Sequence, residues 1–350
     1  MAATHWLGDP PADRERLAPW ALSRIAAAAA EDARVDAMVD IEYAARDIEA
    51  DLGGRFGAGV VGGPSNRRPG GRRSFHLDGI SPLRLREEDS DEPWAALLDP
   101  ARLIRGIGTV SEAHRSGEWV ELTLIPHALF AAPTDPWLPP GAHSLTVRLD
   151  PATGFLRSAA LHDRQGPLAT AQVRGLDVLD ARFSAEAGTT LARMARTLLE
   201  PARLTAEVRI EADPHDDHSF TPVPSARSWT ISSGREILTM TGDYEPDRTS
   251  PAAARLAELL TPARIVSHLA HVTATSPTSV EAAVRPLRTF PFSAWAPDES
   301  LTCRFTVDPT TGVLVRAEAT TEHRTVFRHI VTALGPEGHA QPWDYSSIGG

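Results

Sequence analysis

The chain has 350 residues, 42% of them hydrophobic, a formal net charge of −11 and one cysteine. That length suits two domains rather than one core. The acidic balance excludes a general nucleic-acid binder, and a single cysteine excludes an internal disulfide and a cysteine-rich metal site.

The first sixteen residues read as a tail. They lack a basic region followed by an apolar core, and the "AAAAA" run at 26–30 is short and lies between Arg24 and Glu31. No signal peptide is expected, no stretch has the length of a membrane span, and a cytoplasmic location follows as the expectation. The alanine-rich pattern predicts an amphipathic helix over about 18–33, then an extended segment at 37–43.

The stretch from Gly53 to Arg73 carries Arg55, Arg67, Arg68, Arg72 and Arg73 and no acid. It reads as a mobile loop between strands, with phosphate or acidic-partner binding as the alternative. Inside it, "GAGVVG" (57–62) fits G-x-G-x-x-G. A dinucleotide site needs a helix directly after that motif, and "GPSNRRPGG" cannot supply one. The match is expected to be incidental.

Asp99-Pro100 reads as an N-cap followed by proline at the first position of a short helix. Beyond it, "VELTLIP" places Val120, Leu122 and Leu124 on one face of a strand. Trp137 precedes a hairpin, "LTVRLDPATGFL", whose Val147 and Leu149 share one face. Asp150 and Pro151 suit the first two positions of a type I turn, the Asp150 carboxylate accepting a backbone N–H. Gly154 is placed to supply the positive φ of a following bulge.

From Glu200 onward these features return in the same order. Glu31, Ala33, Arg34, Ala37, Val39, Ile41 and Glu42 recur between 200 and 211, and "RSF" (73–75) recurs as "RSW" (227–229). "LLDPARLI" (97–104) returns as "LLTPARIV" (259–266), Val120-Glu121 as Val280-Glu281, and Trp137 as Trp295. "DPATG" (150–154) returns as "DPTTG" (308–312). The order is constant and the spacing changes only between blocks, the trace that loop insertions leave in a duplicated chain. Two copies are expected, over 17–183 and 188–335, with a tail at 336–350. The second should carry a helix at about 189–199, an extended segment at 205–211, a short helix opened by Thr261-Pro262, and strands presenting Val280, Ala282 and Val284, then Cys303, Phe305 and Val307.

Catalytic signals are weak. "DPHDDH" (213–218) holds His215 and His218 among carboxylates, but closely spaced groups on one loop rarely converge on an ion; a solvated loop is expected. His268 and His271 could share a helix face but lack a counterpart in the first copy. There is no G-x-S-x-G, H-E-x-x-H or P-loop, and no lysine for a Schiff base. Cys303 should be buried and inert. No catalytic residue, metal site or cofactor is expected, and the chain reads as a non-enzyme.

An opening helix, short helices and strands ending in D-P-x-T-G-x-L, at Asp150 to Leu156 and Asp308 to Leu314, resembles the LolA-like lipoprotein-carrier superfamily. That superfamily includes bacterial lipoprotein carriers and the sensor domain of RseB-type sigma-factor regulators. The resemblance implies an α+β fold of two tandem half-open antiparallel β-barrels, each with helices covering its concave face. It also implies an apolar cavity for a lipid or acyl-like small molecule. Val120, Leu122, Leu124, Trp137, Val147 and Leu149 would line the first cavity; Val280, Val284, Trp295, Phe305 and Val307 would line the second. The alternative is a protein-interaction or regulatory module that receives a partner segment.

Overall fold

The structure, a computed structural model, describes residues 7–44, 46–47, 67–68, 71–82, 95–128, 137–139, 142–212, 227–233, 238–242, 251–284, 302–321 and 325–345. They fall into two units that part between Phe183 and Ser184.

The first unit opens with helix α1 (Arg14–Ala28), strand β1 (Glu31–Tyr43), the short pair β2 (Arg46–Asp47) and β3 (Arg67–Arg68), and β4 (Gly71–Ile80). Helix α2 (Ala95–Leu98) and a 3-10 helix (Pro100–Gly106) follow. Then come β5 (Ile107–Ser116), β6 (Trp119–Pro126), β7 (Ser144–Leu149), β8 (Leu156–Asp163) and β9 (Gly166–Phe183). Seven antiparallel strands form one sheet in the order β4-β1-β9-β8-β7-β6-β5.

The second unit runs α3 (Ala185–Arg196), β10 (Leu204–Ala212), β11 (Arg227–Ser233), β12 (Leu238–Gly242), α4 (Pro251–Leu260) and a 3-10 helix (Pro262–His268). It continues with β13 (Leu269–Ser276), β14 (Ser279–Val284), β15 (Thr302–Val307), β16 (Leu314–Thr320), β17 (Thr325–Pro336) and β18 (Gln341–Pro342). Its sheet has the order β12-β11-β10-β17-β16-β15-β14-β13, with β18 paired to β17. Apart from β12 and β18 this is the order of the first sheet. Neither sheet closes on itself among the described residues. The class is α+β with half-open antiparallel sheets.

The repeated residues set the registers. Val39 pairs with Phe75 and with Val173; Val208 pairs with Trp229 and with Val331. The sheets differ in one place. Val120 sits opposite Leu149, but Val280 sits opposite Phe305 rather than Val307. The displacement is two residues, so inward side chains stay inward.

Local chemistry explains where the elements begin and end. Asp13 caps α1, its carboxylate accepting the Glu15 N–H at 3.0 Å. The helix ends at Ala28, short of the expected 33, because Glu31 onward obeys a strand period. Ala33, Val35, Ala37, Val39 and Ile41 are buried while Arg34 and Met38 are exposed. Alanine fits either a helix or the crowded inner face of a sheet, so the run alone did not mark the boundary. Ser184 caps α3, accepting the Ala187 N–H at 3.3 Å, and Arg193 and Arg196 sit at its C-terminal end where the helix dipole favours cations. The capping expected at Asp99 and Thr261 does not form; neither side chain caps its 3-10 helix. Asp99 instead accepts from Arg102 Nε at 2.8 Å. The Gly/Arg-rich stretch is not wholly loop, since Arg67 and Arg68 pair with Asp47 and Arg46 and residues 71–73 begin β4.

Candidate functional site

The repeated turn is a packing device. Gly154 N donates to Asp150 O at 2.8 Å and Gly312 N to Asp308 O at 2.9 Å. Both glycines have positive φ, +75° and +78°, and both strand pairs shift register at the turn. Asp150 Oδ1 accepts the Ala152 N–H at 2.9 Å, and Oδ2 accepts from Arg157 at 2.8 Å. Each turn docks on the helix that opens its unit. Arg24 of α1 reaches across it, donating to Pro151 O at 3.0 Å and Ala152 O at 2.9 Å, and to Glu31 Oε1 at 2.7 Å. Arg24 and Glu31 are both 5% exposed. Burial pushes the Glu31 carboxyl up while Arg24 pulls it back. In the second unit a Cβ on Gly312 would collide with the Arg193 carbonyl oxygen.

The residues expected to line apolar cavities lie inside the hydrophobic layers. Val120, Leu122, Leu124, Val147 and Leu149 have no exposed surface and Trp137 is 1% exposed. Val280, Phe305 and Val307 are equally inaccessible. Helices pack over these faces, α1 against β5 and α2 against β8 in the first unit, and α3 against β13 to β15 and α4 against β16 in the second. Val284 pairs with Leu269 through its backbone, and its side chain lies outside the described residues, as does all of Trp295.

A hollow of about 740 Å³ lies on the opposite, solvent-facing side of the first sheet. Strand pairing builds it. Ser74, Asp40, Gln172, Ser158, Arg148, Glu121 and His114 stand side by side across the seven strands. The next row carries Arg72, Glu42, Thr170, Ala160, Thr146 and Thr123. Short side chains on β8 and β9, with Thr146 of β7, form the floor, while long charged ones stand around it. That difference in reach leaves a depression between the charged side chains.

The walls are held by charge pairing. Asp40 accepts from Ser74 Oγ at 2.6 Å and faces Arg174 Nε at 3.0 Å. Glu121 bridges Arg148 Nε at 2.8 Å and His114 Nε2 at 3.2 Å. Glu42 lies 3.3 Å from Arg72. These pairs are mostly exposed, contribute little to stability, and can exchange partners at low cost. The face thus offers both charges and several hydroxyl and amide groups. From the sequence, Arg72 was named within the Arg-rich stretch and Glu42, Ser74 and Glu121 as repeated residues, but the two rows were not recognised as one surface. The signal was there in the polar alternation of Asp40/Glu42, Ser158/Ala160/His162 and Thr170/Gln172/Arg174, but it is also that of any half-solvated strand.

The matching face of the second sheet is organised differently. Glu211, Arg328, Glu318, Arg304 and Glu281 alternate in charge across five strands. Arg328 bridges Glu211 at 3.2 Å and Glu318 at 2.6 Å, and Arg304 bridges Glu281 at 2.7 Å. Residues 336–345, expected to be a tail, return along β17. Pro342 and Gln341 pair with Ala333 and Leu334, Trp343 N donates to Thr332 O at 2.9 Å, and the Tyr345 hydroxyl is shared between Val315 O (2.7 Å) and Val331 O (2.8 Å). Burial pushes the Tyr345 hydroxyl up to about 12, against the opposing charges of Arg316 and Arg209 and its bond to Val331. Those arginines belong to the same face.

The remaining candidates do not assemble into chemistry. His268 ends a 3-10 helix while His271 lies in β13 with φ 52°, so they share no helix face. "DPHDDH" and "GAGVVG" lie outside the described residues. Cys303 is buried, and burial pushes its thiol up to about 12, as expected for an inert apolar position. Among the described residues no group of three or more His, Cys, Asp or Glu could hold a metal ion. No described helix is long and apolar enough to cross a membrane. Sequence reading missed His329, 1% exposed on the inner face of β17. Burial, and then the charge of Arg255, holds its pKa down to about 3.

No protein-family model and no curated protein matches the chain. Among solved structures it is similar to a crystal structure of MucB, at 17% identity over 48% of this chain and 63% of that one, with a TM-score of 0.25. It is also similar to the Pseudomonas aeruginosa MucA/MucB complex, at 11% identity over 92% and 99% of the two chains and a TM-score of 0.22. A third is MucB in complex with MucA(peri), at 10% identity over 93% and 100%, with a TM-score of 0.22. The chain thus spans less than two thirds of the first of these structures.

Proposed function

We propose that the protein is a non-catalytic binding module that receives a segment of a partner protein on the solvent-facing side of its first sheet. The observation that carries this reading is the polar hollow of about 740 Å³, walled by Arg72, Arg148, Arg174 and their carboxylate partners. A small floor within rotatable ion pairs suits a polypeptide. Its backbone groups can bond the hydroxyl and amide side chains, and its charged side chains can take over one member of a pair.

The chain as a tandem repeat, with copies over 17–183 and 188–335, belongs to the same proposal. It is supported by the common strand order and by the registers that the repeated residues keep. In this reading the second copy has given its equivalent face to the chain's own C-terminal segment, and the first keeps its face for a partner.

The test is site-specific photo-crosslinking from cells. A benzoylphenylalanine at Gln172 or Ser158, on the floor of the hollow, should trap one defined protein. The same probe at exposed Arg164, in the β8–β9 turn, should not. Equal trapping from both positions, or none from the floor, contradicts the assignment.

A further inference from the structure

β9 has an open side. It pairs with β1 along its length, from Tyr43↔Ala169 to Glu31↔Phe183, but its pairing with β8 ends at Ser158↔Gln172. Among the described residues, Arg174 to Asp180 are therefore paired on one side only. The second unit has the same step, since β16 leaves β17 at Arg316↔Ile330. There the vacated side is filled. β18 adds to it with Leu334↔Gln341 and Ala333↔Pro342, and Ala333 and Leu334 are 5% and 8% exposed. Their counterparts in β9, Gly175 and Leu176, are exposed and half-buried. β17 has a register shift close to the position of the one beside Gly175, and β9 has a second, at Leu179, that β17 lacks.

Apolar surface is present on the same stretch. Of the exposed large hydrophobic side chains among the described residues, Val178 and Leu179, at 42% and 53%, lie on it; Ile80 and Met38, at 47% and 45%, stand on β4 and β1, beyond the paired side of β9. Val178 and Ile80 both flank Val35 across three strands. Flanking Val178 and Leu179 are the exposed carboxylates of Asp177 and Asp180. Unpaired strand backbone, apolar side chains and acidic neighbours are the elements of strand addition, in which main-chain hydrogen bonds hold the peptide and side chains select it.

We propose that β9 between Arg174 and Asp180 accepts an extended segment of a partner protein as an added strand, and that this segment alternates apolar with basic residues. The inference rests on the partner-binding reading but concerns the edge left by β8 rather than the hollow, the two meeting at Arg174. The occupied counterpart on β17 is what makes a strand the fitting occupant.

The experiment uses the full chain and a blocked peptide of alternating valine and arginine, about eight residues long, the span of an ordinary strand. Fluorescence anisotropy should give saturable binding, with slowed amide exchange confined to Arg174–Asp180 and its neighbours. Replacing arginine by glutamate in the peptide, or Asp177→Arg with Asp180→Arg in the protein, should each weaken binding about tenfold or more. Two further peptides carry N-methyl groups on one or the other set of alternate residues. One set should abolish binding and the other should not, because an added strand bonds through only one of its edges. Binding that tolerates both methylated forms, or absence of saturable binding, overturns strand addition. Protection over Ser158–Gln172 instead also overturns it, while leaving the hollow as the partner site. Self-association through this edge, seen by sedimentation and blocked by D177R/D180R, would replace the partner with a second copy and overturn the occupant named here.

Discussion

The turn residues repeat because each glycine touches the helix that opens its unit. A Cβ on Gly154 would meet the Arg24 guanidinium at 2.8 Å and the Ala28 Cβ at 3.0 Å, so the buried Arg24 anchor would have to shift; one on Gly312 would meet the backbone carbonyl of Arg193, which cannot. Gly154→Ala should therefore cost about 1–2 kcal/mol, the penalty for alanine at positive φ with a displaced side chain, and Gly312→Ala more, about 2–3 kcal/mol. Urea melts of the two variants measure the difference, and equal losses would contradict the packing account. His329 makes a second prediction at this scale. Burial, with Arg255 adding repulsion, lowers its pKa from 6.5 to about 3. As pH falls through 6.5 the unfolded chain takes up a proton there, and the folded chain does not until about 3. This contribution to stability is therefore complete above 6.5 and declines through that window, by at most about 1.4 kcal/mol per pH unit. His329→Leu should flatten the acid limb of the stability curve relative to wild type. Parallel curves would mean that His329 titrates normally.

At the scale of elements, much of what was legible came from side chains that answer to local rules. The alternation of Val120, Leu122 and Leu124 identified β6, and Asp150-Pro151 with Gly154 identified the corner between β7 and β8. Repeated residues such as Val39 and Val208 anticipated equivalent neighbours in two sheets. What stayed hidden depends on partners distant in sequence. Gln341–Pro342 has no strand pattern of its own; it becomes β18 because β16 has turned away and left β17 open. The hollow was equally invisible, since Ser158, Thr170 and Arg148 look like ordinary solvent-facing residues until pairing sets them side by side. The role given to β18 predicts an effect of its own. Tyr345→Phe removes the hydroxyl shared by Val315 O and Val331 O, at about 1–2 kcal/mol. Ending the chain at Pro336 should cost more, because Ala333 and Leu334 become exposed. Thermal melts that leave both proteins unchanged would show that this segment adds nothing to the second sheet.

For the whole molecule, two sheets of one strand order carry different outer faces. The first has a hollow with short side chains at its centre. The second has an alternating ladder from Glu211 to Glu281 and, above Arg209 and Arg316, the chain's own Tyr345. In the proposed tandem repeat, one copy can be kept for stability and the other left free to bind, because a solvent-facing row can change without disturbing the core beneath it. The direct measurement is retention of the crosslinked partner by matched charge reversals in the two units. Arg148→Glu with Arg174→Glu alters the walls of the hollow; Arg209→Glu with Arg304→Glu alters the equivalent face of the second sheet. Both pairs are surface changes that should leave the fold intact by circular dichroism. The account predicts that the first pair releases the partner by about tenfold or more while the second retains it. Release by the second pair alone, or equal retention by both, would contradict the assignment of the first sheet as the binding face.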